Sequence, residues 1–279
     1  MPELPETETI ARDLDVALRD AVIVGVNVAR PDVLRVVDAT AMQRITAKAT
    51  IVRAHRRAKL VVLDLRTIDG DAAHLVVQPR FTGALLVERD GLATRDATFA
   101  CVTWTLADGR RLHYRDIRRL GTVALMDAAR YAAHTAPLGP EPLDPTLTAA
   151  AFSGSLRRSR QALKKVLMDQ RMLAGVGNIY ATEACWHAGL DPSRPADSLS
   201  GGESATLLEA LRAVLTASIA ARGTSFRDYV DASGARGGFV PQLRAYGRGG
   251  LPCTRCGTRL ADTMAIDGRT TVFCWRCQR

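Results

Sequence analysis

No stretch of this 279-residue chain approaches the roughly 20 consecutive apolar residues that a membrane-spanning helix requires. A helical membrane protein is thereby excluded. The opening residues, MPELPETETIARDLD, are acidic and polar, so they lack the basic start and apolar stretch of a secretory signal. A cytosolic location with no membrane partner is the expectation. No internal repeat and no low-complexity tract is present, which argues against solenoid and disordered architectures. Nothing points to oligomerisation, and a monomer is expected.

Cysteine is scarce: there are six. Four of them form Cys253-x2-Cys256 and Cys274-x2-Cys277, with 17 residues between the pairs. Two short turns joined by a hairpin bring four thiolates around one tetrahedral, structural Zn2+. Two disulfides meet the same spacing, although a reducing cytosol disfavours them. Asp267-Gly268 lies between two strand-like runs of the intervening segment, as a hairpin turn would. Cys101 and Cys185 sit in apolar surroundings and read as core.

Base is in excess and unevenly placed. Seven arginines face two aspartates in residues 244–279, which accounts for more than half of the formal net charge of +9. Such a basic segment on a folded domain suits a polyanion, usually nucleic acid, or a solvated surface.

The length suggests two domains, each with its own core. Residues 5–19 read as a helix with Ile10, Leu14 and Leu18 on one face. Segments 21–30, 50–65, 74–89, 99–106, 110–116 and 122–127 read as strands, with Asp108-Gly109 a strong hairpin signal and Asp69-Gly70 and Asp90-Gly91 weaker ones. That density of strands predicts a β-sandwich or barrel. The segment TAPLGPEPLDP, with four prolines, reads as a linker. Helical periodicity follows at 146–170, 178–189 and 199–223, the first two separated by the turn Gly175-Val176-Gly177.

MPELPETET, RRAKL at 56–60, DIRRLG at 116–121, DQRMLAGVGNIYATE at 169–183 and the terminal cysteine pairs occur in this order. Together they resemble the formamidopyrimidine-DNA glycosylase family, whose sibling branch is endonuclease VIII. The resemblance runs end to end. It implies an α+β multidomain fold: an N-terminal β-sandwich with a flanking helix, a helix-two-turns-helix domain, and a C-terminal four-cysteine zinc-finger β-hairpin. The expected boundaries are 1–132 for the catalytic sandwich, 133–150 for the linker, 151–243 for the DNA-binding helices with a lesion-covering loop at 225–241, and 244–279 for the finger.

The resemblance also implies a site. Removal of Met1 leaves Pro2 with a free secondary amine, and α-amino groups titrate near ~8, so a useful fraction is neutral and nucleophilic at pH 7. Pro2 would attack the sugar C1′ with Glu3 as proton carrier. Lys59, in a strand preceding LVVLDL, would reach the site; RRAKL matches the family's pattern with Ala58 where a glycine is usual. Asn178, Lys59 and Arg269 would clamp phosphates around the lesion. A flipped nucleotide leaves a gap to be filled. Phe81 in QPRFTG, with Arg118 and Leu120 in DIRRLG, take the positions of the family's methionine, arginine and phenylalanine. Two of these three depart from the family pattern, as does Thr7.

PELPE rather than PEGPE, Glu6, Lys164 and the loop SFRDYVDASGARGGFVPQL resemble the oxidised-purine branch. The loop's Gly234, Gly237 and Gly238 would lend it conformational freedom. The expectation is a bacterial, bifunctional glycosylase and apurinic/apyrimidinic lyase acting on damaged double-stranded DNA, contacted through Asn178, Lys164, Phe81, Arg118, Leu120 and Glu6. An oxidised-pyrimidine enzyme, a catalytically decayed DNA-binding protein and an unrelated zinc-ribbon protein are the alternatives.

Overall fold

The computed structural model describes residues 2–88 and 94–279; the turn expected at Asp90-Gly91 lies outside them. Contacts divide the chain into two compact units, Met1–Pro137 with Ala221–Gly238, and Leu138–Ala220 with Phe239–Arg279. Segment 221–238 therefore belongs with the first unit by its contacts, although the sequence alone places the loop 225–241 with the helices around it. Among the described residues no helix is long and apolar enough to cross a membrane.

The first unit opens on helix α1 (Leu4–Leu18), whose Ile10, Leu14 and Leu18 are fully buried. Pro5 sits in its first turn, where a missing N–H costs nothing. Then follow β1 (Ile23–Val28), the short β2 (Leu34–Arg35), α2 (Ala39–Thr46), β3 (Thr50–Arg57) and β4 (Leu60–Arg66). After them come β5 (Ala72–Gln78), β6 (Gly83–Glu88), α3 (Thr94–Thr98), β7 (Ala100–Leu106), β8 (Arg111–Asp116), β9 (Thr122–Asp127) and α4 (Ala128–Thr135). One sheet has the order β1-β7-β8-β6 and the other β2-β9-β5-β4-β3. Alternate residues of each fill one core: Val61, Leu63, Leu75 and Val77 from the second sheet, and Val102, Trp104, Leu112 and Tyr114 from the first. The period-2 spacing of these side chains is that of strands packed face to face.

Two long strand-like runs break in the structure. Segment 50–65 turns at Ala58-Lys59, between the paired residues Arg57 and Leu60. Segment 74–89 turns at Pro79, which has no N–H to continue a ladder, and the chain passes from the β5 sheet to the β6 sheet. Helices α2 and α4 are not legible in the periodicity, and their caps are the available signals. Asp38 accepts from the Ala41 N–H at 2.7 Å and Asp127 from the Arg130 N–H at 2.8 Å.

The second unit holds α5 (Ala149–Leu156), α6 (Leu163–Leu167), α7 (Asn178–Ala188), α8 (Gly201–Ala220) and the hairpin β10 (Ala261–Thr263) and β11 (Thr271–Phe273). Segment 146–170 is thus two short helices rather than the single one its periodicity suggests. The backbone at 161–163 bonds to 194–196 instead of continuing the helical ladder: Leu163 N–H donates to the Arg194 carbonyl at 2.7 Å, and Ala196 N–H to the Gln161 carbonyl at 3.0 Å. Phe152, Leu156, Leu163, Tyr180, Leu211 and Leu215 are buried in this unit, and the Tyr180 hydroxyl lies 2.6 Å from Ser218 Oγ.

Candidate nucleic-acid-processing site

Strand register gathers several sequence-predicted residues of the first unit. Arg57 faces Leu60, Val61 faces Val77, and Gln78 faces Thr122, while Gly83 faces Asp116 in the other sheet. The β3–β4 turn, the β5–β6 crossing and the β8–β9 crossing therefore stand at one end of the sandwich. Helix α1 runs along β3 with its start at the same end: Glu8 Oε2 accepts from Arg56 Nε at 2.9 Å, and further along Asp15 Oδ1 accepts from the Ala54 N–H at 2.8 Å. Pro2, Glu3, Lys59, Phe81, Arg118 and Leu120 share that end.

Pro2 is buried and Glu3, at the N-cap of α1, is 2% exposed. Glu6, also enclosed, accepts from the Glu3 N–H at 2.8 Å through Oε2 and from the Thr224 N–H at 2.8 Å through Oε1. One carboxylate thus ties the chain start to the base of the loop 221–238. Burial pushes the Tyr229 phenol well above its ordinary range, with the neighbouring Glu6 charge adding to the shift, so it remains a donor. It bonds the Arg222 carbonyl at 3.1 Å. The loop is further knitted by Asp231, whose Oδ1 accepts from the Ser233 and Ala235 N–H groups at 3.0 and 2.9 Å. Burial opposes the charge on Asp231, but these bonds and Arg222 outweigh it and hold the carboxyl below the usual carboxylate range. Gly237 is required by close approach, since a Cβ there would stand 2.3 Å from the Gly223 carbonyl oxygen.

Lys59 lies in the turn, not within a strand as the sequence suggests. Ala58, before it, has φ +53, a left-handed conformation that costs a residue with a Cβ about 1–2 kcal/mol. Glycine in the family pattern avoids this cost. Phe81 and Leu120 are 45% and 46% exposed, which sets them apart from strand core, and the Arg118 guanidinium carbon lies 5.2 Å from the centre of the Phe81 ring.

In the second unit, Asn178 begins α7 after Gly177, and its Nδ2 donates to the Thr270 carbonyl at 3.2 Å. Lys164 Nζ donates to the same carbonyl at 3.0 Å and to Thr271 Oγ1 at 2.7 Å. Both residues thereby hold the segment next to Arg269, whose side chain is half exposed at 49%. Lys164 has no exposed surface. Lys164, read from the sequence as a DNA contact, here commits its ammonium to the hairpin.

The sulfurs of Cys253, Cys256, Cys274 and Cys277 all lie within 4.8 Å of one another, and all four cysteines are free of disulfide bonds. This group could hold a metal ion. The Asp267-Gly268 pair, φ +57 and +62, sits in a longer loop between β10 and β11 rather than forming a two-residue turn. Part of the basic segment has a structural role: Arg255 donates to the Trp186 and His187 carbonyls, both at 2.8 Å, at the end of α7.

Two further residues stand out in the structure; they close and open the motifs DQRMLAGVGNIYATE and DIRRLG, but neither has a role read from the sequence. Glu183, fully buried, accepts from the backbone N–H groups of Arg244, Ala245 and Tyr246 at 2.9, 2.8 and 2.7 Å. Burial nonetheless pushes its carboxyl above the usual range, against the pull of those donors. The available signal is a lone carboxylate in the apolar run NIYATEACW. Glu183→Gln keeps one acceptor and turns an NH2 toward the donors, so a loss of about 2–3 kcal/mol is expected. The urea midpoint measures it, and an unchanged midpoint would show these bonds to be dispensable. The second is Asp116, 1% exposed, at the end of β8.

Residues 1–123 match the formamidopyrimidine-DNA glycosylase N-terminal domain, and residues 138–230 match the formamidopyrimidine-DNA glycosylase H2TH domain. A formamidopyrimidine-DNA glycosylase of Thermomicrobium roseum is 43% identical over 291 residues, covering 100% of this chain and 99% of that protein. That of Moorella thermoacetica is 45% identical over 264 residues, 93% of each. The Lactococcus lactis Fpg (MutM) in complex with DNA containing N7-benzyl-Fapy-dG superposes with a TM-score of 0.89 at 27% identity, covering 100% of both chains. The MutM (Fpg) protein of Thermus thermophilus gives 0.85 at 34% identity, covering 99% of this chain and 98% of that one.

Proposed function

Because the chain belongs to the formamidopyrimidine-DNA glycosylase family, we propose that it excises oxidised purines, 8-oxoguanine and ring-opened formamidopyrimidines, from double-stranded DNA and then cleaves the strand as an apurinic/apyrimidinic lyase. The observation that carries this reading is the gathering of Pro2, Glu3 and Lys59 with Phe81, Arg118 and Leu120 at one end of the sandwich. The related Lactococcus lactis protein is seen with abasic-site DNA, and a mutant of it with DNA containing Fapy-dG.

The neutral amine of Pro2 attacks C1′ of the extruded nucleotide, and the bond from C1′ to the base breaks. Glu3 passes protons to and from the sugar ring as it opens. The resulting iminium is cationic and acidifies the C2′ proton. Its loss expels the 3′ phosphate, and a second elimination expels the 5′ phosphate, leaving a gap with phosphate ends. Lys59 and Arg269 neutralise backbone phosphates and Asn178 donates a hydrogen bond to one, while Phe81, Arg118 and Leu120 fill the vacated stack. The four clustered cysteines suit a single Zn2+, which orders the hairpin carrying Arg269 and takes no part in the chemistry. A monomer in the bacterial cytosol fits this role.

The test is a duplex with one 8-oxoguanine, incubated with the protein and borohydride. A covalent protein–DNA adduct is expected. Its absence, with the mature Pro2 terminus verified by mass, would remove the enzyme reading in favour of a decayed DNA-binding protein. Preferential trapping on an oxidised pyrimidine would move the protein to the sibling branch.

A further inference from the structure

Phe81 and Arg118 sit on separate crossings between the sheets, and one buried carboxylate joins those crossings. Asp116 Oδ1 accepts from the Thr82 hydroxyl and from the Arg118 N–H, the latter at 3.2 Å; Oδ2 accepts from the Tyr114 hydroxyl at 3.0 Å and the Gly121 N–H at 2.8 Å. Thr82 Oγ1 in turn accepts from the Arg118 N–H at 3.1 Å. Both carboxylate oxygens are therefore used, by donors from the 80–82 turn, from β8, and from both halves of the 117–121 loop. The Tyr114 phenol is held in its donor form by burial, with the Asp116 charge reinforcing the effect.

The two crossings need such a tie. Arg80 and Arg119, each beside a wedge residue, have φ of +49 and +52, conformations that persist only where the surroundings over-determine them. Gly121 cannot carry a side chain, because a Cβ would stand 2.0 Å from the Tyr114 hydroxyl and 2.5 Å from the Gln78 carbonyl. The packing around Asp116 leaves its loop little choice of path. Arg118 then rests its guanidinium over the Phe81 ring, and a phenylalanine here, where the family pattern has methionine, gives that cation a π face.

We propose that Asp116 and Thr82 are positioning residues that lock the two crossings together, so that Phe81 and Arg118 enter the duplex as one preassembled wedge. This rests on the glycosylase reading for its consequence, but the lock itself is a property of the free protein. An assembled wedge loses little freedom on insertion, so the lock accelerates the step in which a stacked lesion leaves the helix. It matters little at an abasic site, where no base has to be unstacked.

The experiment compares Asp116→Asn, Thr82→Val and Thr82→Ser with the wild type by two readouts. Asparagine keeps the shape of Asp116 but offers one acceptor oxygen and presents an NH2 to two of the donors. Valine keeps the shape of Thr82 without its hydroxyl, and serine restores the hydroxyl. The first readout is amide exchange in the free protein. Exchange at Arg118 should quicken about tenfold or more in Asp116→Asn and Thr82→Val, with Gly121 following in Asp116→Asn, while the strand amides and Thr82→Ser stay as in the wild type. The second is single-turnover cleavage. Excision of 8-oxoguanine should slow about tenfold or more in the same two variants, with cleavage at a preformed abasic site kept within about threefold.

Equal loss on both substrates, or unchanged excision despite loosened crossings, overturns the proposal, as does unchanged exchange. Should Asp116→Asn fail to fold, the Thr82 pair carries the test. If the wild type cleaves neither substrate the glycosylase reading fails, and the exchange data still decide whether the lock exists.

Discussion

Replacing Pro2 with glycine is expected to cut borohydride trapping by about 100-fold or more while leaving DNA affinity largely intact. The proline nitrogen is a secondary amine, so its adduct with the sugar is an iminium that stays cationic without a further proton. A glycine amine gives an imine that must first be protonated to draw electrons from C2′. The ring also restricts the terminus, which lies buried next to a Glu3 that is 2% exposed. A freely rotating glycine loses that alignment, and small misplacements of a reacting atom are costly. Trapped adduct per turnover measures the first effect and equilibrium binding to an abasic-site duplex the second. Undiminished trapping with weakened binding would reassign Pro2 from nucleophile to structural contact.

Stripping metal from the four-cysteine cluster is expected to unfold the β10–β11 hairpin and weaken DNA binding by at least about tenfold, with the sandwich left folded. A tetrahedral zinc with bonds of about 2.3 Å sets its sulfurs about 3.8 Å apart. Cys256 and Cys274 already lie 3.5 Å apart, in a group whose sulfurs fall within 4.8 Å of one another. Besides the bonds from Lys164 and Asn178 to residues 270 and 271, the segment has little structure of its own. Its strands pair over three residues each, and its core is a small cluster of Trp186, Ala245, Leu260 and Val272 with the cysteines. A two-stranded hairpin of that size is marginal in water, whereas structural zinc contributes about 10–16 kcal/mol in finger peptides. Metal analysis should return one zinc per chain. Chelation or Cys274→Ser should raise amide exchange across 261–273 and leave the exchange of the sandwich strands unchanged. A hairpin that keeps its protection and its DNA affinity without metal would refute the structural role.

The departures from the family pattern have unequal physical weight. Ala58 accepts a strained φ, and its methyl group is 2% exposed, so the apolar surface it buries offsets part of that cost, at about 0.8 kcal/mol for one carbon. Thr7 is absorbed locally, its hydroxyl donating to the Glu3 carbonyl at 2.8 Å. Phe81 changes the surroundings of a neighbour, since its ring lies under Arg118.

Local chemistry made much of this protein legible from its residues alone. The spacing of Cys253, Cys256, Cys274 and Cys277 and the apolar stripe of Ile10, Leu14 and Leu18 are local patterns, so their consequences can be read without knowing the fold. The density of strands likewise announced a sandwich or barrel, because alternation is a property of each strand by itself. Register and burial were decided only by tertiary structure. The turn that carries Lys59 appears once β3 and β4 pair; Lys164 becomes an enclosed tie because α6 lies against the finger hairpin; and segment 221–238 joins the sandwich through a bond between Glu6 and Thr224. Asp116 is an ordinary acid in the sequence, and it becomes the joint between two crossings only because residues 34 positions apart are brought together by the pairing of β6 with β8. Long-range pairing of this kind leaves no local periodicity, and that is the physical reason these roles could not be read from the residues in a line.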